Sequence, residues 1–407
     1  LRVKFRLGLF DQPYVADTKA ADRVGGADRN MDFVKQMQQQ ALVLLKNENN
    51  ILPLDKRQIK KVLVTGPLAD EDNFMTSRYG PNGLETVTVL AGLRNYLKGI
   101  ADVDYAKGCD IVDAGWPATE ILPAPMSEQE KHGITEAVAK ADESDVIIAV
   151  LGEDEYRTGE SRSRTSLDLP GRQQQFLEAL HATGKPVILV LINGQPLTVN
   201  WANAYIPAIL ESWFPGCQGG TVIAETLFGE HNPGGKLTVT FPKSVGQIEL
   251  NFPFKPGSHG AQPHSGPNGS GATRVIGELY PFGFGLSYTT FAYSDLEVFP
   301  LQQHTQGEYA IKVNVTNTGK RAGDEVVQLY VRDKVSSVIT YDSQLRGFER
   351  VSLQPGETRQ VTFSLKPEDL QILDRNMNWT VEPGEFEVMI GASSQDIRLK
   401  KTITALP

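Results

Sequence analysis

A polar segment lies between an apolar run and a helical one. It consists of Thr158-Gly159-Glu160-Ser161-Arg162-Ser163-Arg164-Thr165-Ser166-Leu167-Asp168-Leu169-Pro170-Gly171. The run before it, Val146–Leu151, is entirely apolar, and the segment after it, Arg172–Leu180, has the composition of a helix. This order predicts a buried parallel strand, a loop at its carboxyl end and a returning helix. Because open parallel sheets bind ligands at that end of their strands, we expect this long loop to be functional.

Composition limits the classes of protein to consider. The chain has 407 residues, of which 40% are hydrophobic and 22% charged, as expected for a soluble protein of two or three domains. A net charge of −9 argues against nucleic acid or an anionic membrane as the main partner. No apolar run is long enough to span a bilayer. Two cysteines, Cys109 and Cys217, provide no disulfide framework.

Strands and helices alternate between residues 35 and about 230. Helices are predicted at Lys35–Leu45, Val87–Leu97, around Ile134–Ala141, at Arg172–Leu180 and at Gly219–Phe228, and strands at Lys61–Thr65, Val103–Ala106, Val146–Leu151, Pro186–Ile192 and Pro207–Ser212. Such alternation predicts an α/β sandwich with a mainly parallel sheet. Residues 251–273 are rich in Gly, Pro, Ser, Asn and His, which predicts a long exposed loop.

The hydrophobic period changes to two after about Phe291. Alternating apolar residues occur at Ile311, Val313 and Val315, at Val327, Leu329 and Val331, at Val361, Phe363 and Leu365, and at Phe386, Val388 and Ile390. Turn residues such as Asn317-Thr318-Gly319 and Pro383-Gly384-Glu385 separate these runs. Short alternating strands at this spacing predict an antiparallel β-sandwich of about seven strands.

Several motifs together carry a resemblance to a known family. They are Leu7-Gly8-Leu9-Phe10, Leu44–Asn49 with Leu52-Pro53-Leu54, Gly159–Arg164 with Leu167–Pro170, Asn232–Leu237 with Thr240-Phe241-Pro242, Tyr280–Tyr288, and Gly323–Val331. In combination they resemble the family 3 glycoside hydrolases, especially the bacterial three-domain β-glucosidases. Each motif alone is a weak signal, but the set covers nearly the whole chain.

The resemblance implies a domain organisation. It implies an N-terminal (β/α)8 barrel, which this sequence lacks, followed by an α/β sandwich and a fibronectin-type-III-like β-sandwich. The expected boundaries are 1–34 for an exit segment and linker from the barrel, 35–242 for the α/β sandwich, 243–290 for a linker with a long loop, and 291–407 for the β-sandwich. The chain begins with Leu1, so we expect it to be the back part of a longer protein.

The resemblance also implies an activity. The family cleaves terminal sugars by double displacement, with an Asp nucleophile in the barrel and a Glu acid/base in the α/β sandwich, and Glu160 occupies that Glu motif. It further implies β-linked glucooligosaccharides as substrates, no cofactor, a barrel in the same or another chain as partner, and a periplasmic or secreted location. The role of the β-sandwich stays open, and bracing of the other domains and a homodimer contact are two roles that would fit it.

The residues around Glu160 fit that chemistry without proving it. A retaining glycosidase needs one ionised carboxylate and one carboxyl group that holds a proton near neutral pH. The acidic group Glu153, Asp154 and Glu155 favours the protonated form of Glu160, whereas Arg157, Arg162 and Arg164 oppose it. The alternative is that Glu160 is one solvated loop carboxylate among several. Arg164 and Asp168 are more suited to an ion pair that pins the loop.

A second segment, Ser77–Pro81, follows the Lys61–Thr65 strand and reaches the same predicted edge of the sheet. Arg78 and Tyr79 are candidate substrate-binding residues there, because an aromatic ring stacks on the apolar face of a sugar. Ordinary loop packing is an equally good interpretation. Trp116 raises the same question, whereas Trp213 is better suited to core or interface packing. No cluster of Cys, His and carboxylate residues indicates a metal site.

Two alternatives to a β-glucosidase stay open from the sequence. The first is a β-xylosidase of the same family. The second is a non-catalytic carbohydrate-binding or scaffold protein without a barrel.

Overall fold

The computed structural model describes residues 1–25, 28–80, 84–247, 250–256 and 275–407. Most of the loop predicted at 251–273 therefore lies outside the described residues. Within the described ranges, no helix combines the length and the apolar character needed to cross a membrane.

The first part of the chain forms a helix-covered sheet. Its helices are α1 (Arg2–Arg6), α2 (Ala20–Gly25), α3 (Asp28–Ala41), α4 (Val89–Tyr96), α5 (Glu128–Asp142), α6 (Gln173–Ala182), α7 (Asn200–Tyr205) and α8 (Gly219–Leu227). Its strands are β1 (Val43–Asn47), β2 (Lys61–Thr65), β3 (Asp102–Ala106), β4 (Val146–Gly152), β5 (Val187–Ile192) and β6 (Ala208–Glu211).

The six strands are ordered β1-β6-β5-β4-β2-β3, and all neighbours are parallel except β1 and β6. This confirms the predicted α/β fold with a mainly parallel sheet. The helix predicted at Lys35–Leu45 is wrong in its last residues, because α3 ends at Ala41 and β1 starts at Val43. Pairing with β6 and burial of Leu42–Leu45 override the helical periodicity there.

The sheet is buried on both faces. Every residue of β4 and β5 is buried, which explains why these strands are apolar throughout. On one face, α4 and α8 pack through residues such as Leu90 and Ile223, and on the other, α5 and α6 pack through residues such as Ala137 and Phe176. The result is a three-layer core that holds the strand ends in fixed positions.

The second part of the chain is a β-sandwich, as predicted. Its elements are β7 (Phe291–Phe299), β8 (Gln302–His304), β9 (Tyr309–Asn317), β10 (Gly323–Asp333), β11 (Gln344–Leu353), β12 (Thr358–Leu365), α9 (Pro367–Leu370), β13 (Ile372–Leu373), β14 (Trp379–Thr380), β15 (Gly384–Gly391) and β16 (Ile397–Leu406). One sheet has the order β11-β10-β15-β16-β8 and the other β12-β9-β7. Pairing is antiparallel except between β8 and β16. Alternating residues such as Val313 and Val388 fill the core between the sheets.

Polar and aromatic contacts join the two parts. The Lys236 ammonium lies 3.0 Å from the Glu325 carboxylate, with both side chains largely buried. The Gln328 side chain donates a 3.0 Å hydrogen bond to the Gly283 carbonyl. Phe252 packs edge-on against Tyr330 of β10, with 5.5 Å between ring centroids. The interface thus fixes the β-sandwich against the α/β domain.

Candidate active site

The topology of the sheet indicates where a ligand would bind. From β2 the chain goes to β3 on one side, whereas β4, β5 and β6 lie on the other, so the strand order reverses between β2 and β4. Open α/β sheets bind ligands in the crevice beyond the carboxyl ends of the strands at such a reversal. The loops that follow β2 and β4 flank this crevice.

Glu160 lies at the corner of a tight turn in the loop after β4. The Arg162 amide donates a 3.2 Å hydrogen bond to the Gly159 carbonyl, which closes the turn. Gly159 and Ser161 have φ angles of +115° and +62°, so residues on both sides of Glu160 adopt left-handed backbone conformations. The Glu160 side chain is exposed, and no described residue forms a hydrogen bond or an ion pair with its carboxylate.

Arg78 and Tyr79, from the loop after β2, contact the backbone of Glu160. The Glu160 amide donates a 2.8 Å hydrogen bond to the Tyr79 hydroxyl oxygen. Arg78 Nη1 donates a 3.2 Å hydrogen bond to the Glu160 carbonyl. The structure therefore brings together all three residues that the sequence selected, although they come from segments about 80 positions apart.

A buried ion-pair cluster anchors the base of the same loop. Glu153 follows β4 and is fully buried, and Arg164 pairs with it. Arg164 Nε also lies 2.8 Å from Glu120 Oε1, and Gln195 donates a 2.8 Å hydrogen bond to Glu153. Burial raises the pKa of Glu153 from its ordinary 4.5 to about 7, because desolvation outweighs the attraction of the Arg164 guanidinium.

The predicted ion pair between the Arg164 and Asp168 side chains does not form. Arg164 donates to the Asp168 backbone carbonyl at 3.0 Å, and its carboxylate partners are Glu153 and Glu120. The Asp168 carboxylate instead accepts hydrogen bonds from Ser166, at 2.7 Å, and from Thr198. Arg164 therefore pins the loop, but through acids that the sequence did not indicate as its partners.

The two tryptophans are engaged within the protein. The Arg157 guanidinium lies over the Trp116 ring, 4.4 Å from its centroid, and Arg157 also pairs with the buried Asp154. Trp213 packs edge-on against Phe241 at 5.9 Å between centroids, in agreement with the predicted packing role. Of the candidate aromatic residues, Tyr79 has the exposed ring, with 66% of its surface accessible.

Sequence reasoning missed a second buried acid at this edge. Glu211 ends β6, is fully buried, and accepts a 2.8 Å hydrogen bond from the Trp213 amide. Burial raises its pKa to about 8. Its only sequence signal was a carboxylate at the end of an apolar strand. No group of three or more metal-ligating side chains occurs in the described parts of the chain.

Comparison with known proteins identifies the family. Residues 42–288 match the glycosyl hydrolase family 3 C-terminal domain, and residues 325–394 match a fibronectin type III-like domain. A beta-xylosidase of Formosa agariphila is 41% identical over 98% of this chain and 53% of its own length. A periplasmic beta-glucosidase of Salmonella typhimurium is 38% identical over 98% of this chain and 54% of its own length.

Solved structures agree with this result. A β-glucosidase from Erythrobacter marinus superposes with a TM-score of 0.87 at 37% identity, covering 99% of this chain and 54% of that one. The chain therefore spans about half the length of the relatives it matches. The match over residues 42–288 and the identities above show that the chain belongs to glycoside hydrolase family 3, of which it carries the C-terminal α/β domain and the fibronectin type III-like domain.

Proposed function

We propose that this chain is the C-terminal portion of a retaining, exo-acting β-glucosidase in which Glu160 is the general acid/base. The observation that carries the proposal is the place of Glu160: an exposed carboxylate, unpaired among the described residues, on a turn beside the reversal point of the sheet. An acid/base must be free to approach the glycosidic oxygen, and this carboxylate is free.

The other acids of the loop are less suited to that role. Glu153 has a raised pKa, but it is fully buried and holds Arg164 and Gln195. Asp154 is buried and paired with Arg157. A raised pKa indicates a catalytic acid only when the group can reach the substrate. The exposure of its side chain therefore favours Glu160 over the buried Glu153 and Asp154.

The nucleophile lies outside this sequence in the proposed mechanism. A retaining glycosidase places its two carboxyl groups about 5–5.5 Å apart across the sugar. We assign the second group to an Asp of an N-terminal barrel that faces the crevice between the β2 and β4 loops. The 407-residue chain alone is then nearly inactive. Terminal β-D-glucosyl units of glucooligosaccharides are the substrates, with Arg78 and Tyr79 at the edge of the sugar site.

The experiment that tests the proposal is Glu160→Ala in the full-length protein. Hydrolysis of disaccharides, which need a protonated leaving group, falls steeply, whereas aryl glucosides with good leaving groups lose less, and added azide restores turnover with them. Glu178→Ala, which removes an exposed acid of α6, is the matched control and keeps its disaccharide activity. An undiminished disaccharide rate in Glu160→Ala overturns the assignment.

β-Xylosidase is the second candidate, and one comparison favours it. The Formosa agariphila relative, at 41% identity, is named a beta-xylosidase, whereas the Salmonella typhimurium relative is named a beta-glucosidase. Initial rates of the full-length protein on matched aryl β-glucosides and aryl β-xylosides decide between them. A periplasmic or secreted location is proposed as well, and the periplasmic beta-glucosidase supports it.

A further inference from the structure

The backbone of Glu160 is held on both sides. Its amide N–H donates to the Tyr79 hydroxyl at 2.8 Å, and its carbonyl accepts from Arg78 Nη1 at 3.2 Å. These two groups belong to the successive peptide planes that flank the Glu160 Cα atom. Fixing both planes fixes the φ and ψ angles between them, and therefore the direction of the Cα–Cβ bond.

The backbone conformation of the turn around Glu160 allows Arg78 and Tyr79 to approach it closely. Ser161, the third residue of the turn, has a φ angle of +62°, as the third position of some tight turns requires. Gly159 has a φ angle of +115°, and a Cβ atom there would lie 3.0 Å from Arg78 Cδ and 3.1 Å from the Tyr79 hydroxyl oxygen. The absent side chain of Gly159 leaves the space that Arg78 and Tyr79 occupy.

Arg78 and Tyr79 also support each other. The Arg78 guanidinium lies 5.6 Å from the centre of the Tyr79 ring, within the range of a cation–π contact. Both side chains come from the loop after β2, whereas Glu160 comes from the loop after β4. The contacts therefore join the two loops that flank the crevice.

We propose that Tyr79 and Arg78 are positioning residues, which hold the Glu160 backbone and so aim its carboxyl group at the glycosidic oxygen. This inference rests on the proposed acid/base role of Glu160. It assigns the Tyr79 hydroxyl a role beyond the stacking of its ring on a sugar. Proton transfer depends steeply on the placement of the acid, so loss of the hydroxyl slows the step that Glu160 catalyses.

Tyr79→Phe separates the two roles, because it removes the hydroxyl and keeps the ring. In the full-length protein we expect kcat on substrates with poor leaving groups to fall about 3- to 10-fold, as the loss of one hydrogen bond predicts. KM for these substrates is unchanged, and kcat/KM on a dinitrophenyl glucoside hardly changes, because kcat/KM reports the glycosylation step and dinitrophenolate departs without a proton. Equal losses on both classes of substrate, or a loss confined to KM, overturn the positioning role.

A double-mutant cycle shows whether Tyr79 acts through Glu160. In a Glu160→Gln background, Tyr79→Phe has no further effect on substrates with poor leaving groups if the hydroxyl works by placing the Glu160 carboxyl group. An undiminished additional loss in this background contradicts the inference. Tyr205→Phe is the matched control, since Tyr205 is another exposed tyrosine and precedes β6 at the opposite edge of the sheet.

A separate measurement needs no catalysis. In the 407-residue chain, the Glu160 amide hydrogen exchanges faster in Tyr79→Phe than in the parent, as measured by NMR of the 15N-glutamate-labelled protein, and Tyr205→Phe leaves it unchanged. An unchanged exchange rate in Tyr79→Phe overturns the hydrogen bond itself. If Glu160→Ala fails its azide test while the amide exchange responds as expected, the acid/base proposal fails and the backbone contact stands.

Discussion

Glu211 combines complete burial with a carboxyl group, and this combination makes stability depend on pH. Its pKa rises from 4.5 to about 8 because of desolvation, with Glu153 nearby adding repulsion. Between these two values the folded state binds more protons than the unfolded state. The free energy of unfolding therefore decreases as pH rises from about 4.5 to about 8.

Glu211→Gln should remove the part of this dependence that Glu211 contributes, whereas Glu153, whose pKa is also raised, keeps its own contribution. Glutamine keeps an acceptor for the Trp213 amide and carries no charge, so the variant gains stability over the parent by the order of a few kcal/mol at pH 8 and by little near pH 4.5. Thermal unfolding from pH 4.5 to 8.5 measures the difference between the two proteins. Parallel pH profiles would show that Glu211 does not titrate in this window.

Gly159→Ala tests the close contact beside Glu160. Gly184 also has a positive φ angle, +74°, but a Cβ atom there meets nothing within 4 Å, so Gly184→Ala is the matched control. Both variants carry backbone strain of about 1–3 kcal/mol. We expect Gly159→Ala also to displace Arg78 and Tyr79 and to change the Glu160 amide resonance and the activity of the full-length protein. A similar activity loss in both variants would assign the effect to strain alone.

The sequence indicated some of these residues and not others. Glu160 was selected because it occupies the acid/base motif of the family, and Arg78 and Tyr79 because their segment lies beyond a predicted strand. Their mutual contacts could not be predicted, because they depend on β2 and β4 being neighbours in the sheet. Glu120 pairs with Arg164 from a loop 44 positions earlier, and no local pattern marks such a partner.

At the scale of the element, a buried ion pair of Arg164 stabilises the loop after β4. The Arg164 side chain is 5% exposed and faces Glu153, which is 0% exposed. Removal of one partner from a buried ion pair costs about 3–5 kcal/mol, since the remaining group either stays charged without compensation or must take up a proton.

Arg164→Met should therefore lower the free energy of unfolding by about that amount at neutral pH. Adding Glu153→Gln should recover part of the loss, because no buried carboxylate is then left without its cation. Arg162→Met, on the exposed tip of the same loop, should change stability by less than about 0.5 kcal/mol. Chemical unfolding of the four proteins tests this, and equal losses for Arg162→Met and Arg164→Met would refute it.

Elements that are apolar throughout were predicted well, and β1 was not. β4 and β5 are buried on both faces, so their sequences leave little ambiguity. Leu42–Leu45 is an apolar run of four residues that directly follows a helix, and such a short run fits a helix or a strand equally well. The choice is made by the partner strand β6, which the local sequence does not contain.

In the whole molecule, two of the motifs that carried the family resemblance meet at the contact between the two domains. Lys236 belongs to the Asn232–Leu237 motif and Glu325 to the Gly323–Val331 motif, and the two side chains form a buried ion pair. Asn232 also donates a 2.9 Å hydrogen bond to the Ala322 carbonyl. The likeness in these motifs thus reflects packing between domains rather than chemistry.

Lys236→Met should separate the unfolding of the two domains. The change leaves Glu325 buried without its cation, so the interface loses about 3–5 kcal/mol while each core stays intact. Calorimetry should then resolve two transitions more widely spaced than in the parent. Arg398→Gln, which breaks an exposed ion pair with Asp396 inside the β-sandwich, serves as the control and should leave the trace unchanged.

The direction of β1 has a consequence for how helix α3, which precedes it, is joined to the sheet. Val43, the first residue of β1, pairs with Glu211, the last residue of β6, so the chain enters the sheet from the edge beside which Glu160 stands. A parallel β1 would have moved this entry point by about 15 Å, the length of a five-residue strand, to the far side. Helix α3, which ends at Ala41, is thereby joined to the sheet on the crevice side and not at the opposite ends of the strands.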